Sequence, residues 1–173
     1  MRKVLYGLLL CAVAAALPAC KKDDNNGPGE PEGKSFIRAK VDGKLTDFAF
    51  SVKAHRDVRN MVSVVGSTNG PEENSENIQL AILDGPAPVA AGTYNLDGGV
   101  TTMVVIYSIY KQANGGTSQD NYTASTLSAV TTDAFVITIS SINDKEVKGT
   151  FGGTVSGTKV IKITEGEFSA PFE

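Results

Sequence analysis

Phe36-Ile37-Arg38-Ala39-Lys40-Val41-Asp42-Gly43 is the stretch on which the architecture turns. From Ser35 to Val41, Ile37, Ala39 and Val41 alternate with Phe36, Arg38 and Lys40, the period-two pattern of a strand with one face buried. Asp42-Gly43 then supplies two residues that tolerate positive φ, as a type I′ hairpin turn requires. The same grammar recurs to the end of the chain. Residues 48–54 place Phe48, Phe50 and Val52 on one parity, and 61–65 run to Gly66 and the turn-rich Ser67-Thr68-Asn69-Gly70-Pro71. Residues 77–83 set Ile78, Leu80 and Ile82 on one face before Asp84-Gly85-Pro86. Further candidate strands cover 92–96, 100–110, 122–130, 134–142, 145–155, 159–163 and 167–172, separated by breaks such as Asp97-Gly98-Gly99 and Asn114-Gly115-Gly116. Nothing after Ser35 sustains the i, i+3, i+4, i+7 stripe of a helix. About nine to eleven short strands predict an all-β antiparallel fold, a β-sandwich, with a calycin-like β-barrel as the alternative.

Upstream of this region the chemistry changes twice. Met1-Arg2-Lys3 is basic, and residues 4–19 carry no charge. As a helix that run would rise roughly 24 Å, short of a hydrocarbon core, so it reads as a secretory signal peptide and not as a span. Residues 21–34 are polar, charged, Gly or Pro throughout. Such a segment buries too little to offset its ordering entropy and is expected to be a disordered tether. The expected organisation is a signal peptide at 1–19, an attachment point and tether at 20–34, and a β domain at 35–173.

Leu17-Pro18-Ala19-Cys20 resembles the lipobox of bacterial lipoproteins: an aliphatic residue, a small residue before the cut and an obligatory Cys after it. Pro18 departs from the small or hydroxylated residue usual at its place. The resemblance implies cleavage before Cys20, a diacylglycerol held as a thioether on its sulfur, and a further acyl chain on its amine. One chain anchors only marginally, whereas two or three hold firmly. Lys21-Lys22-Asp23-Asp24 is similar to the surface-export signal behind the Cys of many Bacteroidota lipoproteins; the competing reading is a solvated spacer. The location so implied is the outer membrane, lipid-anchored, facing the surface or the periplasm.

The β region carries a resemblance of its own. Phe36 to Lys44 looks like the opening of small Bacteroidota lipoprotein domains of unknown function. Pro88-Val89-Ala90-Ala91-Gly92-Thr93-Tyr94-Asn95-Leu96 is similar to their "aliphatic-x-x-G-x-Y-x-L" element. Val147-Lys148-Gly149-Thr150-Phe151 and Ile163-Thr164-Glu165-Gly166-Glu167-Phe168 resemble their "G-T-F" and "aliphatic-T-x-G-x-F" strands. The resemblance implies a β-sandwich on a lipid anchor and brings no catalytic residues.

Composition narrows the remaining classes. The 173 residues hold 16 Lys+Arg against 19 Asp+Glu, a formal charge of −3, without the basic excess of a nucleic-acid binder. Of the two cysteines, Cys11 leaves with the leader, so no disulfide framework is available. One His and one remaining Cys are too few soft ligands for a zinc site. Asp23-Asp24-Asn25-Asn26-Gly27 lacks the alternating spacing and closing Glu of a calcium loop. No metal and no cofactor are expected.

His55, in Ala54-His55-Arg56-Asp57, would need a nucleophile and an orienting acid to act as a base. No G-x-S-x-G motif accompanies it, and a solvated turn residue is the simpler reading. Asp144, Glu146, Glu165 and Glu167 could form a glycosidase-type carboxylate pair, or be ordinary surface charges. Asn121-Tyr122-Thr123 fits a sequon that a bacterial lipoprotein would not use. Tyr94, Tyr107, Tyr110 and Tyr122 are candidate stacking platforms for a ligand, against a competing reading as core residues. Tyr107 and Tyr110 lie three apart and should point to opposite faces of a strand. The expected protein is a non-catalytic, monomeric envelope module binding a glycan or another envelope protein. A carboxylate-dependent hydrolase and a structural protein without a ligand are the alternatives.

Overall fold

Strand follows strand in the computed structural model, which describes residues 34–57, 60–70, 74–83, 87–97, 101–113, 116–127 and 134–173. Cys20, Leu17, Pro18, Ala19, Lys21, Lys22, Asp23 and Asp24 lie outside the described residues. Among the described residues there are eleven strands and no helix. They are β1 (Phe36–Val41), β2 (Lys44–Asp47), β3 (Phe50–Arg56), β4 (Met61–Ser67), β5 (Ser75–Leu83) and β6 (Gly92–Asn95), then β7 (Thr102–Ala113), β8 (Gly116–Ser125), β9 (Phe135–Ile142), β10 (Glu146–Ser156) and β11 (Val160–Pro171). The all-β antiparallel class expected from the alternation is the one observed.

The layers of that fold are parts of one sheet, in the order β2-β1-β11-β10-β8-β7-β5-β4-β3. β10 forks: its first half pairs with β9, which carries β6, while Ser156 at its far end pairs with Thr123 of β8. The sheet curls into a half-barrel. Its edge strand β3 closes back on the chain just past β11, where Phe172 makes a parallel bridge with Ala54. The Glu173 amide donates to the Ala54 carbonyl at 3.1 Å, and Arg56 lies 4.4 Å over the Phe172 ring.

Inside the curl, alternate residues of every long strand meet. Ile37 and Ala39 from β1, Val62 and Val64 from β4, Ile78, Leu80 and Ile82 from β5, and Ile161 and Ile163 from β11 are buried together. Phe48, between β2 and β3, crosses the interior to meet Tyr107 edge-on at 6.4 Å. Gly66 permits this approach: a β-carbon there would stand 2.6 Å from the Phe48 carbonyl oxygen and 2.9 Å from Ile37 Cδ1. Among the described residues, no buried side-chain polar atom lacks a partner.

The hairpin at Asp42-Gly43 has φ of 48° and 82°, the double-positive signature of the expected turn. It leads into β2, a strand the alternation alone does not reveal. The candidate strands 159–163 and 167–172 are a single element, β11. The apparent break between them is a bulge, with Glu165 at φ 52° and the register with β1 stepping between Arg38 and Lys40.

Candidate functional site

A bulge in β3 shapes a cleft among the described residues. In β3, Phe50 pairs with Ser67 and Lys53 with Val65, so three steps on one strand face two on the other. Ser51 takes up the extra residue at φ 53°. A one-residue shift moves a side chain to the opposite face of a sheet. Phe50, expected on the parity of Phe48 and Val52, is consequently turned outward and 46% exposed, whereas Phe48 and Val52 are buried. Its ring rests by Gly70, where a β-carbon would lie 3.6 Å away.

Phe50 forms one wall of a cleft of about 700 Å³ on the outer face of β4, β5, β7 and β8. Ladder register lays its floor in rows. Ser67, Asn77, Ser108 and Asn121 are consecutive partners across the four strands. Val65, Gln79, Ile106 and Thr123 form the row beside them, and Ser75, Tyr110 and Gln119 the row on the other side. These are the positions that alternate with the buried Ile78, Val105, Tyr107 and Tyr122, so one set of strands supplies both core and cleft.

Hydrogen bonds order the polar row. Ser108 Oγ donates to Asn121 Oδ1 at 2.7 Å, and Gln119 Nε2 donates to the same oxygen at 2.7 Å. With its oxygen doubly engaged, the exposed Asn121 has its amide N–H groups as its remaining hydrogen-bonding capacity. On the other side, Ser67 and Ser75 donate to the Asn69 carbonyl at 3.0 and 3.2 Å, tying the loop after β4 to the floor. Among the described residues of the lining, Lys53 alone carries a full charge, and it pairs with Glu173 at 3.1 Å. A smaller cavity of about 560 Å³ shares Asn69, Ser75 and Tyr110 with the cleft and is bordered by the charged Lys44, Asp47, Glu76 and Lys111.

The four candidate stacking tyrosines separate by burial. Tyr110 is 37% exposed on the cleft. Tyr94, Tyr107 and Tyr122 are buried in the core, so their faces are covered by protein and a ligand stacks on none of them. The opposite orientation of Tyr107 and Tyr110 follows from strand geometry, as expected. Tyr94 is tied to Ala90, donating to its carbonyl at 2.8 Å and accepting from its amide at 3.1 Å. Tyr107 donates to Glu76 at 2.9 Å; burial first, and then this bond, hold its phenol far above the ordinary range.

The candidate carboxylates each meet a cation. Glu167 accepts from Arg38 at 2.7 Å and Glu165 from Lys40 at 2.8 Å. Glu146 lies 3.3 Å from Lys148, and Asp144 lies 3.7 Å from Arg56. His55 is exposed on β3, opposite Ser63 in the ladder. Among the described residues, no three His, Cys, Asp or Glu side chains converge as a metal would need.

Phe50, Asn77, Ser108, Gln119 and Asn121 escape sequence reasoning as site residues. The only signal of the four polar residues is their place on the polar parity of their strands, whereas Phe50 shares the apolar parity of Phe48 and Val52; register decides which of many such positions become neighbours. Neither a family model, nor a curated protein, nor a solved structure matches this chain.

Proposed function

We propose that the protein is a lipoprotein of the outer membrane, anchored through acyl chains on Cys20. Its β domain acts as a non-catalytic binding module, with the ligand seated in the cleft between Phe50 and Tyr110. The observation that carries the binding half is the row of amides and hydroxyls on the cleft floor, with the exposed Phe50 ring at its end and the exposed Tyr110 ring in the row beside it. Large rings are costly to leave in water, and a pair flanking ordered polar groups is the usual composition of a ligand site. None of the four candidate carboxylates is among the described residues lining the cleft, which favours binding over hydrolysis there. The anchor rests on the lipobox-like Leu17-Pro18-Ala19-Cys20.

Labelled palmitate tests the anchor: the wild-type chain incorporates it and sediments with membranes, and Cys20→Ser does neither. Persistent labelling of Cys20→Ser removes the anchor assignment. For the binding half, solutes that raise the melting temperature of the wild type are compared on Tyr110→Ala. The cleft is the site when the shift is lost in the variant, and is not when the shift is retained.

A further inference from the structure

The nature of the cleft's occupant follows from its lining, on the premise that this cleft is the binding site. We infer that it takes a neutral, polyhydroxylated chain: a short glycan segment lying across the strands.

The row Ser67, Asn77, Ser108, Asn121 crosses three strand spacings, roughly 14 Å at the usual sheet separation. That is longer than one sugar ring and suits a chain of them. A sugar hydroxyl both donates and accepts, so its natural partners are side-chain amides and hydroxyls, which also do both. The engaged oxygen of Asn121, a lining residue, leaves its amide N–H groups to donate, and the Asn77 oxygen is only distantly approached, by Ser75 Oγ at 3.5 Å. Beside this row Val65 and Ile106, with the Phe50 and Tyr110 rings, offer apolar surface to the C–H faces of sugars.

Other ligand classes fit less well. A phosphate- or carboxylate-bearing polymer calls for several cations, and the lining has Lys53, already paired with Glu173. A cationic peptide would meet no carboxylate among the described residues of the lining. An acyl chain would strip water from Asn77, Ser108 and Asn121 without replacing the lost hydrogen bonds.

The test is affinity electrophoresis of the purified full chain in native gels. The gels contain an α-glucan, a β-glucan, a mannan or a xylan, with polygalacturonate as the charged polymer. At least one neutral polymer should retard the wild type. Tyr110→Ala, and Asn121→Asp, which keeps the shape but loses the amide donors, should each weaken that retardation roughly tenfold, a readily resolved step in affinity. Tyr110→Phe should retain most of it, and none of the three should move the unfolding midpoint. Failure of every neutral polymer overturns the glycan assignment. Retardation by polygalacturonate alone, abolished by Tyr110→Ala, also overturns it while leaving the cleft as the site. Retardation by a neutral polymer that survives both Tyr110→Ala and Asn121→Asp places the sugar elsewhere and overturns the cleft reading itself.

Discussion

Phe168 of β11 covers Gly149 of β10, its direct partner in the ladder, with its ring where a β-carbon of residue 149 would be. Two residues on, the arrangement is reversed: Phe151 covers Gly166. The two rings lie 6.3 Å apart, and Phe151 also stacks on Phe135 at 6.5 Å. Cross-strand partners are the unit of sheet stabilisation, and a large ring over a glycine fills the space the missing side chain leaves. The repeated glycine-aromatic spacing of the last two strands thus has a packing cause.

Gly149→Ala should destabilise the fold by about 1–3 kcal/mol or more through overpacking. Its β-carbon collides with the Thr138 carbonyl as well as with Phe168. Shrinking the ring in Gly149→Ala/Phe168→Leu should therefore recover little, because a backbone oxygen in a ladder does not step aside. Urea midpoints of the two variants check this; full recovery in the double variant would show that the ring alone excludes the methyl group.

The different burial of two nearby phenylalanines predicts opposite outcomes for their removal. Phe48→Ala should cost about 3–5 kcal/mol, as for a fully buried ring. Phe50→Ala, at a surface position, should stay within roughly 0.5–1 kcal/mol, yet impair ligand binding. Equal losses in chemical denaturation would mean that Phe50 belongs to the core.

Ser51 itself sits in the left-handed region, where a β-branched side chain is strained. Ser51→Val should cost about 1–2 kcal/mol, and Ser51→Gly should be tolerated. A Ser51→Val variant as stable as the wild type would argue that the bulge is not required at this position.

Tyr107 makes stability depend on alkaline pH. Its phenol is held protonated in the fold, above the ordinary value of about 10. Below that value both folded and unfolded chains keep the proton, and the contribution is constant. Above it the unfolded chain releases the proton while the folded chain retains it, so stability falls as pH rises towards the folded value. Tyr107→Phe should flatten this decline while costing about 1–3 kcal/mol near neutrality through the lost bond to Glu76. Denaturant midpoints of wild type and variant on both sides of the phenol's ordinary pKa measure both effects.

Much of the fold was readable from alternation, because a half-buried strand must expose every second residue. Ile78, Leu80 and Ile82 and the turn at Asp42-Gly43 illustrate this, each being a local consequence of side-chain period or backbone sterics. β2 was not readable, since Lys44–Asp47 has too little apolar content to mark a buried face. Glu165 looked like a strand end because a bulge and a turn draw on the same residues.

The sequence alone determined the class of fold, most inward-facing residues and the turn at Asp42-Gly43. Tertiary structure decided that the strands form one curled sheet forked at β10, because pairing partners are chosen by long-range packing. It also decided that Phe50 faces water while Val52 does not, since one extra residue at Ser51 reverses parity without altering composition. The cleft belongs wholly to this second kind: Ser67, Asn77, Ser108 and Asn121 are far apart along the chain, and only ladder register sets them in a row.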